Sequence, residues 1–435
     1  MSDKTSQNSL VASGKFELVR HGREGNKLIR RTASDALALI NSAMNLPQKL
    51  LHRVGNREFH DEDFRQLQIW ASELGWDEQL SEFVKAIDRE FTELIDERDG
   101  FVLKFNENNS MQWCHDGRIR ILVRIGADYR SFPRLPKLTH LCWFDEPPSN
   151  TIDLSSVPAL THLRCTYNQL TELDLSSVPA LTDLECSGNK LTELDLASVP
   201  ALTKLWCSDN QLTELDLSSV PALTYLHCDN NQLVKLSLPS APALTSLHCS
   251  DNKLTELDLS SVLDLTLLHC DNNNLTKLDL SSVPALTELS CDSNQLTELE
   301  LSSVPALTVL WCSDNQLTEL DLSSVPALTE LYCTSNQLTE LDLASVPALT
   351  KLWCGKNQLT ELDLASVPAL TKLWCSENQL TELDLSSVPA LTKLSCYNNQ
   401  LTELDIRGCL KLNSVEVDPW VIVHKRPDQT VRHLE

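Results

Sequence analysis

From residue 158 to residue 405 the apolar positions of the chain return in one fixed frame. The phrase from Leu170 to Lys190 shows it: Leu170, Leu173, Leu175, Val178, Leu181, Leu184 and Cys186 are apolar, and the residues between them are polar or small apart from Pro179. The frame recurs every 21 residues, marked by Cys165, Cys186, Cys207, Cys228, Cys249, Cys270, Cys291, Cys312, Cys333, Cys354, Cys375 and Cys396. Leu184 and Cys186 stand two apart, so they share one face of a short strand, and the residues on either side of Leu184 share the other. Leu170, Leu173 and Leu175 repeat that spacing, so each phrase holds two similar halves. Proline recurs in nearly every phrase and breaks helix interiors, which leaves no room for long helices between the strands. A fixed period of this length predicts a solenoid, in which each coil buries its apolar side against its neighbours.

The remaining chain lacks the period. In residues 1–135, His60 to Leu74 reads as a helix, with Asp61 as N-cap, Phe64, Leu67, Ala71 and Leu74 on one face, and Gly75 at its end. A second helix is predicted over Asp77 to Arg98 and a shorter one over Ala36 to Asn45, before Pro47. Phe101 to Asn106 and Ile119 to Ile125 alternate as strands do. The sequence thus predicts a small α+β, mainly helical N-terminal domain over 1–135, a degenerate capping coil over 136–157 with Trp143 at the Cys position, the array over 158–405, and a C-terminal cap over 406–435. In that last cap Leu412, Val415 and Val417 continue the frame, and Trp420 to Lys425 reads as a final strand shielding the last Leu layer.

Each phrase reads L-x-x-L-x-C-x-x-N-x-L, and an Asn follows the Cys by three residues in all twelve. This pattern resembles leucine-rich repeats, in particular the short 21-residue bacterial type with a cysteine ladder found in internalin-J-like proteins. The resemblance spans roughly 138–417. It implies a leucine-rich-repeat horseshoe with a concave parallel β-sheet and short extended convex segments, with Val178 and Pro179 standing where the family has a second Asn turn. It also implies that the concave face is the partner surface.

Charge narrows the partner class. The net charge is −25, yet residues 1–135 carry 20 Lys/Arg and 21 Asp/Glu, so nearly all the excess lies in the array. Two columns of the second half carry most of it. Glu stands seven residues after the Cys in ten repeats, with Lys235 and Lys277 as exceptions, and an acidic residue stands nine after it in eleven, with Ser237 as the exception. An array this acidic repels phosphate backbones and anionic membranes. No apolar run of about 20 residues offers a membrane span. Residues 1–57 hold ten Lys/Arg against four Asp/Glu, which reads as a contact arm or a solvated tail. Residues 1–31 lack the apolar segment of a secretory signal. Twelve regularly spaced thiols without a C-x-x-C or Cys/His metal pattern read as free, buried side chains of a reducing compartment. The expected location is cytoplasmic, and delivery into another cell's cytosol fits equally well.

Twelve near-copies show which positions the fold leaves free. The two strand residues facing away from the core diverge: one and three residues before the Cys they include Trp206, Tyr225, His227, His248, His269, Trp311, Tyr332, Lys351, Trp353, Lys372, Trp374 and Lys393. These residues are the candidate partner-binding surface, together with Lys356 in the following turn. Trp353 and Trp374 beside Lys351, Lys356, Lys372 and Lys393 reverse the local sign of an acidic protein, which points to an acidic protein partner. The expected function is a non-enzymatic protein-binding module without a cofactor or resident metal. The alternatives are glycan binding by the aromatic ladder, or a metal site at His227, His248 and His269 beside Asp229 and Asp271. Against the latter, side chains stacked in register about 4.8 Å apart do not readily converge on one ion. No nucleophile elbow or Gly-rich phosphate loop is present.

Overall fold

The computed structural model describes residues 138–144, 150–238 and 241–434, and before them the strands Asn8–Ala12, Phe16–Arg20, Lys27–Ile29, Leu51–Val54, Arg57–His60, Ser110–Trp113 and Ile119–Ile125. The chain divides into two compact units, 1–202 and 203–435.

In the first unit, Asn8–Ala12, Phe16–Arg20 and Lys27–Ile29 form an antiparallel sheet, and Leu51–Val54 pairs with Arg57–His60 as a hairpin. The segment read as an arm or tail is therefore extended and paired wherever it is described. Ile119–Ile125 is a strand, as its alternation predicts, with Ser110–Trp113 antiparallel on one edge and His140–Phe144 parallel on the other. The helices expected over 36–45 and 77–98 and the strand over 101–106 lie outside the described residues; so does the helix over 60–74, except that His60 ends a strand. His140–Phe144 pairs with His162–Arg164, with Cys142 opposite Arg164, so Trp143 stands where the next coil has Cys165. Trp143 is buried, and its carbonyl accepts a bond from Asn168 Nδ2 at 2.8 Å.

In the second unit ten three-residue strands, from Lys204–Trp206 to Lys393–Ser395, pair in parallel and in strict register. Leu226 lies opposite Leu247, and His227 opposite His248. Register is this strict because each coil has one length and one inward face; a slip of one residue would turn Leu and Cys to solvent. No Leu, Val or Cys of the frame between 203 and 405 is more than 7% exposed, so the coil interior is closed along its length.

Three polar columns stitch the coils, and a fourth shapes the turn within each. Each Asn fills a hole in the backbone: Asn336 Nδ2 donates to the carbonyls of Cys312 at 2.9 Å and Cys333 at 3.3 Å, while its Oδ1 accepts from the Leu317 N–H at 3.0 Å. Each Thr four before the Cys donates its hydroxyl to the Thr one coil back, as Thr329 does to Thr308 at 2.9 Å. The thiols donate as well: Cys228 Sγ reaches the His248 carbonyl at 3.3 Å and Cys270 Sγ that of Ser290 at 3.3 Å. A Cys thus fills a slot too narrow for Leu and adds a weak donor. The fourth column explains part of the acidity. Asp279 Oδ1 accepts from the Ser281 N–H and Asp321 Oδ1 from that of Ser323, a turn that Asp forms and Glu is too long for.

Two turns in succession follow. The Val304 N–H bonds the Leu301 carbonyl and the Leu307 N–H bonds that of Val304, both at 3.1 Å. Pro305 occupies the second position of the second turn, where its fixed φ fits and its missing N–H is not needed. The residue two after each Cys has a left-handed φ, from 50° at Asn272 to 57° at Glu377 in this unit. Asp, Asn and Ser dominate there because they tolerate that conformation.

At the C-terminal end Ile422–His424 is a strand that pairs with Glu403–Asp405 and so extends the second-half ladder. Trp420 and Ile422 are 62% and 64% exposed, while Val421 between them is buried. Polar groups join in the closing: Gln429 Nε2 donates to the carbonyls of Ile406 at 2.9 Å and Cys409 at 3.0 Å, and Asp418 accepts the Asn398 N–H at 2.7 Å. The last coil offers open backbone carbonyls and amides as well as leucines, and these are what must be satisfied first.

Candidate functional site

The ladder sheet turns its outward face along both variable columns. In the second unit the aromatic residues there form one continuous belt. Trp206 meets Tyr225 at 4.9 Å between ring centroids, Tyr225 meets His248 at 5.6 Å, and His227, His248 and His269 follow at 5.0 and 4.8 Å. His269 reaches over buried Ser290 to Trp311 at 6.0 Å. Beyond it the rings lie flat on one another: Trp311 on Tyr332 at 5.6 Å, Tyr332 on Trp353 at 4.2 Å and 12°, Trp353 on Trp374 at 4.3 Å and 7°. Strict register places equivalent side chains one strand spacing apart, close to the thickness of an aromatic ring, so stacking follows from the repeat itself. Every belt ring is half-buried.

This geometry weakens the glycan reading. Sugars stack on ring faces, and both faces of Trp353 are covered by neighbouring rings. The belt offers ring edges.

The lysines are not equivalent. Lys351 Nζ lies 2.6 Å from Glu330 Oε1, and the Tyr332 hydroxyl donates to Glu330 Oε2 at 2.9 Å. Burial opposes the charge on Glu330, but these two bonds outweigh it and hold the carboxyl below its ordinary range. Burial, and then Glu330, push the Tyr332 hydroxyl up to about 12. Lys356 sits in the turn at φ 52°, exposed and outside both columns. Lys372 and Lys393, unlike Lys351, have no carboxylate within 4.0 Å among the described residues.

At the middle of the belt the structure gathers histidines and aspartates. His227 Nε2 lies 2.9 Å from Asp229 Oδ2. Asp229 Oδ1 accepts the Ser250 N–H at 2.7 Å, which fixes its carboxylate. Ligand atoms of His227, Asp229 and His248 all lie within 4.8 Å of one another. His269 turns away to Glu288 Oε1, at 3.0 Å, and Asp271 binds the hydroxyls of Ser250 and Ser290. Spacing within one column argued against convergence; the carboxylate supplied by the turn is what brings three groups together. Burial and the neighbouring His269 and His227 push the His248 imidazole down, toward its neutral form. Asp292, close by, is pushed up to about 7 by burial, with Asp271 and Asp314 adding to it against the Ser313 hydrogen bond.

The first unit presents a different face. His140 stacks on His162 at 4.0 Å, His162 meets Asp183 at 3.3 Å, and Arg164 meets Glu185 at 3.2 Å. Among the described residues it is a surface of paired charges without tryptophan stacks.

Comparison with known proteins gives the family. A family model for two copies of the leucine-rich repeat matches residues 200–241 and, in overlapping windows, 284–324, 305–345, 326–366, 347–387 and 368–408. The functional domain of InlJ from Listeria monocytogenes, described as including a cysteine ladder, is 39% identical over 66% of this chain and 69% of its own, with a TM-score of 0.59. This chain belongs to the internalin-like leucine-rich-repeat proteins. YopM from Yersinia enterocolitica is 28% identical, covering 74% of this chain and 76% of its own at a TM-score of 0.59. YopM from Yersinia pestis, titled a leucine-rich effector protein, is 22% identical over 91% of this chain and 100% of its own at 0.59, a likeness of fold. No curated protein matches in sequence.

Within this leucine-rich-repeat protein, sequence reasoning missed the residues that orient the variable columns. Glu330 and Glu288 were visible in the column three before the Cys, and their partners Lys351 and His269 stand one coil on or back. Asp292 gave no signal of its own, because a lone Asp beside a Ser-rich turn looks like any other. Among the described residues, no helix is long and apolar enough to cross a membrane.

Proposed function

We propose that the protein is a non-enzymatic interaction module that holds a protein partner on the outward face of the ladder sheet, centred on Trp311, Tyr332, Trp353 and Trp374. The observation that carries this reading is the four-ring stack, pre-assembled and half-exposed on a face that the fold leaves free to vary. Rings already fixed by one another lose little side-chain freedom on binding, so a larger share of their contact energy appears as affinity. Lys372 and Lys393 lie along the same stretch in a chain of net charge −25, and they favour a partner that is acidic beside its apolar contact. The buried thiols suit a reducing compartment, either the cytoplasm of the producing cell or a cytosol reached in the manner of an effector such as YopM.

The test is partner capture with the full chain and with Trp374→Ala as paired baits, followed by titration of any partner that distinguishes them. Trp374 ends the stack, so its loss leaves Tyr332 on Trp353 intact. Its removal should weaken binding about thirtyfold, equivalent to about 2 kcal/mol for a central aromatic anchor. Lys372→Glu should mainly slow association at low salt. A partner that binds both variants as tightly as the parent does not sit on this face.

A further inference from the structure

Outside the stack, the cluster at the middle of the belt has a chemistry of its own. Two imidazoles and one carboxylate meet there, from adjacent coils: His227 and Asp229 from one, His248 from the next. We propose that His227, Asp229 and His248 bind one divalent transition-metal ion of the class that accepts imidazole, represented by Zn2+.

Three features carry the assignment. The first is distance. Tetrahedral zinc with nitrogen and oxygen ligands needs its donor atoms about 3.3 Å apart. His227 Nε2 and Asp229 Oδ2 already stand at 2.9 Å, and the widest separation in the trio is within 4.8 Å. Closing it takes a side-chain rotation of His248, which is half-buried, lies among the rings of Tyr225, His227 and His269, and among the described residues hydrogen-bonds the Ser246 hydroxyl, at 3.3 Å. The second is orientation. The Ser250 N–H holds one oxygen of Asp229 and leaves the other aimed at the imidazole, as outer contacts do for metal ligands elsewhere. The third is selectivity within the row. His269, next in register, is engaged by Glu288 and stacks edge-on against His248, so the set closes at three protein groups and keeps a fourth position open to solvent. Two nitrogens in three donors select zinc, cobalt or nickel over calcium and magnesium, which prefer all-oxygen sites. An open position on this face would let a side chain of a bound protein complete the coordination. This assignment does not depend on where the partner sits.

The experiment uses the full chain, purified without a histidine tag and kept reduced. Co2+ is titrated while its visible absorption is followed, and Zn2+ is then added in competition. One equivalent should bind, with a nitrogen/oxygen-type spectrum lacking thiolate charge transfer, and Zn2+ should displace it. Asp229→Asn keeps an acceptor for the Ser250 N–H, so it preserves the turn; it and His248→Gln should each weaken binding by about a thousandfold, beyond the roughly 10–100-fold that the loss of an outer contact causes. His269→Gln should bind as the parent does. Should either variant misfold, imidazole NMR of the unmodified chain gives the same answer: His227 and His248 must shift with Zn2+ and His269 must not gain a metal contact. Failure to bind one equivalent, a thiolate band, displacement by equimolar Ca2+, or equal loss in His269→Gln would each overturn the assignment.

Discussion

The asparagine ladder makes the sharpest demand on the fold, and Asn336→Ala measures it. Asn336 is buried, and its amide bridges two coils. Removing it leaves the Leu317 N–H, bonded at 3.0 Å, without a partner in a closed interior, and takes from the Cys312 carbonyl its shorter bond, at 2.9 Å, leaving the one from Asn315 Nδ2 at 3.3 Å. The longer contacts to Cys333 and Thr334, at 3.3 and 3.4 Å, add less. An orphaned buried group costs about 1–3 kcal/mol and a lost hydrogen bond about 0.5–1.5 kcal/mol, so the substitution should cost about 1.5–4.5 kcal/mol, less whatever a water entering the hole restores. A repeat array need not unfold in one step. Amide hydrogen exchange read at the peptide containing Leu317 is therefore a better assay than a single melting curve. At tenfold per 1.4 kcal/mol, exchange there should accelerate by about one to three decades. Gln337→Ala, on the exposed neighbour, should change it little. If Asn336→Ala moves exchange at Leu317 no more than Gln337→Ala does, the ladder is not what closes the coil edge.

Three further outcomes follow from the geometry. Trp353 touches a ring on both faces and Trp374 on one; at about 0.5–1.5 kcal/mol per aromatic pair, Trp353→Ala should destabilise its coils by about twice as much as Trp374→Ala, and a double-mutant cycle with Tyr332 showing no coupling would refute the stack. Asp292 has a folded-state pKa near 7, above that of the unfolded chain, so its protonated form favours folding and that contribution is lost as pH rises from about 4 to about 7; Asp292→Asn, which keeps an acceptor for Ser313, should melt above the parent at about pH 8 and lose the advantage by about pH 4, and a constant difference across that range would rule out the shift. Lys356 holds φ 52° without the local hydrogen bonding that Asn offers; Lys356→Asn should stabilise by about 0.5–1 kcal/mol in urea titration and leave partner affinity unchanged, while weakened binding would return Lys356 to the interface.

The period of 21, the inward Leu and Cys, the outward columns and the absence of long helices were all legible in the residues, because a repeated coil can bury its apolar side in only one way. The left-handed turn position, occupied by Asp209, Asn230, Asp251, Asn272 and Ser293 two after the Cys, was not read from the residues and shows only in φ. What the one-dimensional pattern could not decide is how neighbouring coils use their shared face. Trp311, Tyr332, Trp353 and Trp374 lie 21 residues apart and could each have stood alone; register at one strand spacing turns them into a stack. Lys351 looks the same as Lys372 in sequence, yet Glu330, 21 residues earlier, holds only Lys351. His227, Asp229 and His248 meet because a turn residue of one coil reaches the strand residue of the next. At the C-terminal cap the pattern showed the final strand, and Val421 in it is buried, but not the part of Gln429 and Asp418, which bond the peptide groups of the coil end. Burial of apolar surface is additive along a chain and shows in its pattern, whereas hydrogen bonds, ion pairs and ring contacts depend on which side chain stands opposite, and only the packed coils determine that.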